Sequence, residues 1–139
     1  MIPTKVNYNK FNIKFLADSD FMIYESDINA FLDETGLTVQ NINLPLESDK
    51  INYILLSEAG KTFKCGNALE NIFLLLKKEF KNEIIVMDFN GVEETSDYFL
   101  EKYTKFLLET SNKIFTINMS LSISNAFSRY IYNNLLEEE

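Results

Sequence analysis

The chain has 139 residues, is 46% hydrophobic, carries a formal net charge of −8, and contains one cysteine and no histidine. That length suits one domain with a real core, and the composition belongs to a folding chain rather than a disordered one. The acidity argues against nucleic acid or an anionic membrane surface as a direct partner. The lone Cys65 excludes an intrachain disulfide, and the missing imidazole removes the commonest metal ligand, the usual general base and the Ser-His and Cys-His nucleophile pairs.

The first residues, MIPTKVNYNKFNIKF, have no continuous apolar stretch and no small-residue cleavage site, so they do not read as a signal peptide. No apolar run approaches the roughly 18 residues of a membrane helix. The expectation is a cytoplasmic protein. Between Lys5 and Leu16 the near alternation of Phe11, Ile13 and Phe15 predicts a strand or a hairpin. Asp18-Ser19-Asp20 is turn chemistry. Ser26 or Asp27 can cap a short helix that buries Ile28, Phe31 and Leu32, with Gly36 just past its end. Thr38 to Leu44 alternates and reads as another strand. Pro45 and the polar run Glu47 to Lys50 then mark the boundary between an N-terminal β/α extension, 1–50, and the main unit, 51–136. The last residues, 137–139, form an acidic tail.

From Ile51 the pattern sharpens. Ile51, Tyr53, Ile54, Leu55 and Leu56 predict a strand, Glu58 to Lys61 a turn, and Thr62 to Cys65 a short partner strand closing a hairpin. Leu69, Ile72, Phe73, Leu76 and Phe80 recur as one helical stripe, with Lys77, Lys78 and Lys81 near its C-terminus, where the helix dipole favours cations. Ile84 to Met87 is an unbroken apolar, largely β-branched run, as expected of an interior strand covered on both faces. Asn90-Gly91 supplies a turn because both residues tolerate positive φ. Thr95, Ser96 or Asp97 can cap the next helix, which carries Phe99, Tyr103, Phe106, Leu107 and Thr110 at helical spacing and ends near Ser111-Asn112. Lys113 to Met119 reads as a third strand. Ser120 or Ser122 caps a last helix with Ile123, Phe127, Tyr130 or Ile131, and Leu135 as its apolar positions.

The strand closed by Asp88-Phe89-Asn90-Gly91-Val92, followed by Ser96-Asp97-Tyr98-Phe99 and a helix, resembles the STAS-like domain (sulfate transporter and anti-sigma factor antagonist) over about residues 51–136. The resemblance implies an α/β fold with a mixed, mostly parallel sheet covered by helices. It also implies a non-enzymatic regulatory module, without cofactor or metal, that docks on a protein partner such as a histidine-kinase-like ATPase. In the antagonist branch a serine at the start of this helix is phosphorylated by that partner. Here the aligned position is Asp97, which departs from the pattern. A carboxylate there can imitate a phosphoserine with less charge than the roughly −1.5 to −2 of the modified residue, and Ser96 can serve as a displaced acceptor. The implied docking residues are Asn90, Gly91, Ser96, Asp97 and Tyr98.

Each of these positions also has a plainer reading. Ser96 or Asp97 is an ordinary helix cap worth about 1 kcal/mol. Asp88 lies at the C-terminal end of a strand, where open α/β sheets place ligands. With Asp97 and Glu93 or Glu94 it could hold Mg²⁺ or a phosphate in an enzyme, yet no Lys or Arg lies in the motif to manage phosphate. Cys65, before a helix start, could have a lowered pKa, but a small structural residue is the simpler account. A third reading is a small acidic inhibitor, phage-encoded, that blocks a basic nucleic-acid-binding protein. Self-association as a homodimer is compatible with all three.

Overall fold

The computed structural model describes residues 11–15, 22–36, 50–58, 62–63 and 67–136. The expected turn at Asp18-Ser19-Asp20, the expected strand at Thr38 to Leu44, the boundary at Pro45, Cys65 with Gly66, and the acidic tail lie outside the described residues.

Five strands form one mixed sheet: β1 (Asn12–Phe15), β2 (Met22–Ser26), β3 (Ile51–Leu55), β5 (Ile84–Asp88) and β7 (Lys113–Ile117), in the order β1-β2-β3-β5-β7. The pairings β1–β2 and β2–β3 are antiparallel, and β3–β5 and β5–β7 are parallel. The mostly parallel sheet of the sequence reading is therefore corrected to an even mixture. The chain between Phe15 and Met22 is too short for a crossover, so β1 and β2 can only meet antiparallel. Among the described residues, the first fifty contribute two strands to this same sheet and a helix that packs on it. β2 itself was missed in the sequence. Met22-Ile23-Tyr24-Glu25-Ser26 does not alternate because four of its five residues are buried.

A second correction concerns β4 (Thr62–Phe63). It does not close a hairpin with β3. It pairs in parallel with β6 (Glu94–Thr95), in register Thr62↔Glu94 and Phe63↔Thr95. Two residues of polar sequence carry no periodicity, so β6 had no sequence signal.

Among the described residues, four α-helices cover the sheet: α1 (Ile28–Thr35), α2 (Asn67–Glu79), α3 (Asp97–Glu109) and α4 (Leu121–Ile131), the last continued by a π turn over Tyr132–Leu136. One face buries Ile54, Ile85, Met87 and Phe89 against Ile72, Phe73 and Leu76 of α2, Phe99, Tyr103 and Phe106 of α3, and Ile123 of α4. This is the expected helical stripe, apart from Leu69, whose side chain lies outside the described residues. Its centre is aromatic: Phe73 stacks on Phe106 at 5.0 Å between centroids, and Phe99 on Tyr103 at 5.9 Å. The opposite face buries Tyr24, Ile51, Tyr53, Val86 and Ile117 against Ile28 and Phe31 of α1. β5 is thus interior and apolar on both sides, because α2 and α3 cover one side and α1 the other.

The predicted caps form. Asp27 caps α1 through the Ala30 N–H at 2.8 Å, and Gly36 ends it at φ 72°. Ser120 caps α4 through the Ile123 N–H at 3.2 Å. Buried Asn112 joins the two turns at the lower end of the sheet. Its amide donates to the Phe80 carbonyl at 2.8 Å and its carbonyl accepts from the Glu83 N–H at 3.0 Å.

Candidate functional site

The C-terminal end of β5 hands the chain to α3 through a tight turn. The Val92 N–H donates to the Phe89 carbonyl at 2.9 Å, and Gly91 sits at the third turn position with φ 91°. A type II turn demands positive φ there, which glycine supplies without strain. Asn90 does not share the left-handed conformation that the sequence allowed it. It is exposed, Gly91 is half-buried, and Val92 is buried beneath them.

Asp88 anchors this turn from below. It is 4% exposed. Its Oδ1 accepts from the Asn90 N–H at 2.8 Å and from the Asn118 side-chain amide at 3.1 Å, and its Oδ2 accepts from the Tyr53 hydroxyl. Asn118 reaches it from a left-handed backbone position, φ 60°, just after β7. Asp88 therefore points to the α1 face of the sheet, holding three elements together. Strand order also runs one way from β3 through β5 to β7, with α2 and α3 on one face. No reversal of winding opens a crevice at Asp88 among the described strands. Among the described residues, no group of three or more His, Cys, Asp or Glu is placed to hold a metal ion.

Ser96 is the N-cap of α3. Its Oγ accepts from the Phe99 N–H at 3.1 Å, and its carbonyl accepts from the Leu100 N–H at 3.0 Å. Asp97, in the first turn, is exposed and complements the positive end of the helix dipole. Tyr98 is half-buried, with the Lys102 ammonium 5.2 Å from its ring centroid. The structure brings Asn90, Gly91, Ser96, Asp97 and Tyr98 to one corner and leaves Asp88 beneath it.

The corner opens onto two grooves that share Ala126. One, between α3 and α4, is lined by Asp97, Tyr98, Glu101, Arg129, Tyr130, Asn133 and Asn134; the other by Glu93, Glu94, Thr95, Ser122 and Ile123. Asp97 and Glu101 share the first groove with one cation, Arg129, and Glu93 and Glu94 line the second. Tyr130 registers this field: partial burial and then the Glu101 and Asp97 charges push its hydroxyl pKa up, with Lys102 opposing them. Glu101 and Arg129 were not singled out as site residues in the sequence. The spacing of Ala126, Arg129, Tyr130 and Asn133 along one flank of the last helix was the available signal. No helix among the described residues is long and apolar enough to cross a membrane. No protein-family model, no curated protein and no solved structure matches this chain.

Proposed function

We propose that the chain is a non-enzymatic, STAS-like regulatory module that docks on a protein partner through the corner between β5 and α3. The observation carrying this reading is the placement of Ser96, Asp97 and Tyr98. They stand at the end of an interior strand, Asp97 exposed and its two neighbours half-buried, beside one groove that carries Asp97, Glu101, Arg129 and two tyrosines and a second that carries Glu93 and Glu94. Tyrosines beside charged groups supply large contact area at low entropic cost and recur as anchors in protein interfaces. The sign of the groove selects a partner presenting Lys or Arg, and a kinase-like ATPase with a basic rim fits that description. Asp97 gives the corner the negative charge that a phosphoserine would supply in a switch, and Ser96, one residue earlier, is the hydroxyl available for modification at the same helix start.

The test is a pull-down from the source organism's extract. Wild type, the corner variant Asp97→Lys/Tyr98→Ala and a distant control, Lys113→Ser, are compared at low and high salt. The reading expects a protein retained by wild type and control, lost from the corner variant, and bound less at high salt. Partners that bind the corner variant as well as wild type would overturn it.

A further inference from the structure

The outward side of α3 carries a second pattern, which shares Tyr98 and Glu101 with the docking groove. Phe99, Tyr103 and Phe106 face the core, so at 100° per residue the opposite, solvent side is the stripe Tyr98, Glu101, Lys105, Leu108. Their spacing is three, four, three, the heptad spacing of helices that pack on a neighbouring helix. Glu101 and Lys105 are exposed, and neither is in an ion pair with another described residue. Leu108 is 69% exposed at the far end of the stripe, and the Tyr98 ring lies at the near end. A solvated face gains nothing from a leucine in that position.

The order along the stripe is apolar, acidic, basic, apolar. Read backwards, acid and base exchange while the apolar ends stay in place. A copy of the stripe running in the opposite direction is therefore its complement. In an antiparallel two-fold pair, Tyr98 meets Leu108 of the second copy and Glu101 meets Lys105, each contact occurring twice by symmetry. A parallel pair would instead set Glu101 against Glu101 and Lys105 against Lys105. We propose that this face of α3 binds a second copy of the chain, antiparallel, through these four residues.

One helix of 13 residues gives a contact at the small end of specific interfaces. Self-association is accordingly expected near ~100 μM protein and not near ~1 μM. Sedimentation velocity on the purified chain over that range tests the proposal. Wild type should shift from monomer to dimer. Glu101→Lys alone and Lys105→Glu alone should each stay monomeric, because each sets two like-charge pairs face to face, and their dissociation constants should rise at least about tenfold. An equimolar mixture of these two single variants should associate again, and so should the double reversal Glu101→Lys/Lys105→Glu in one chain. All four positions lie on the outer surface, so circular dichroism should report the same fold throughout. A wild type monomeric at every concentration would overturn the proposal. So would single variants that associate like wild type, or a double reversal that stays monomeric. Because only this chain is present, self-association is read without any partner, and Lys105 and Leu108, which lie outside the docking groove, distinguish the two surfaces.

Discussion

Asp88 is the residue for which the structure makes the sharpest quantitative prediction. Its carboxylate takes three hydrogen bonds, from the Asn90 N–H, the Asn118 amide and the Tyr53 hydroxyl. Asp88→Ala removes both acceptor oxygens and with them all three bonds. Asn90 and Asn118 are exposed and can turn to water, but Tyr53 is 2% exposed and its hydroxyl loses an ionised acceptor in the interior. Losing a buried hydrogen bond to a charged acceptor costs about 1.5–3 kcal/mol, and the two bonds nearer solvent, partly replaced by water, add about 1 kcal/mol. The expected total is about 2.5–4 kcal/mol, a large share of the roughly 5–15 kcal/mol that a domain possesses. Asp88→Asn behaves differently. Its carbonyl oxygen can keep Asn90 and Asn118, and its amide can donate to the Tyr53 oxygen, so each of the three partners keeps one hydrogen bond to residue 88, although the phenol proton gives up its acceptor there. The cost should be about 1 kcal/mol or less. Urea denaturation at neutral pH separates the two. With a slope near 1.5 kcal/mol per molar, the alanine variant should lose about 2 M in midpoint and the asparagine variant well under 1 M. Tyr53→Phe, in the wild-type and Asp88→Asn backgrounds, closes a double-mutant cycle on the same bond. If Asp88→Ala cost less than 1 kcal/mol, or if Asp88→Asn cost as much, the assignment of Asp88 as anchor of the turn would be refuted.

Three further perturbations follow from the same site. Gly91→Ala forces a side chain into φ 91° and should cost about 1–2 kcal/mol by urea titration, with near-native far-ultraviolet dichroism. Ser96→Ala removes the acceptor for the Phe99 N–H and should cost about 1 kcal/mol, whereas Ser96→Asp restores a cap and should stay within about 0.5 kcal/mol of wild type. Tyr103 sets the alkaline limit: burial pushes its hydroxyl well above the ordinary tyrosine value of 10.0, with the Thr116 hydrogen bond opposing only in part. Folded Tyr103 therefore keeps its proton while an unfolded tyrosine releases it. Its contribution is complete below pH 10 and is lost as pH rises beyond that, at about 1.4 kcal/mol per pH unit. Urea midpoints at pH 9 and 11 should fall accordingly, and Tyr103→Phe should flatten that fall.

Much of the C-terminal half was legible because its elements are long and periodic. The stripe from Ile72 to Phe80 and the apolar run Ile84 to Met87 each announce one structure, and the helix starts at Ser96 and Ser120 could be read to within a residue or two among neighbouring cap candidates. The N-terminal half was not, because strand β2 buries Glu25 and Ser26 as well as Ile23 and Tyr24, leaving no alternation to read. The mixed character of the sheet depended on which strand β2 joined, a long-range choice. At the candidate site, the turn and the helix start could be read from Asn90-Gly91 and Ser96-Asp97. The wall supplied by α4 could not, since Arg129 and Tyr130 meet Asp97 and Glu101 only once the two helices pack side by side.

The claim that the β5–α3 corner is the docking surface has a direct measurement. Amide hydrogen exchange is followed by mass spectrometry on the chain alone and on the chain saturated with its captured partner. The account predicts new protection over residues 90–99 and 126–134, with β3 and β5 slow in both states because they are interior already. Protection gained elsewhere, with both of those segments exchanging as they do in the free chain, would contradict it.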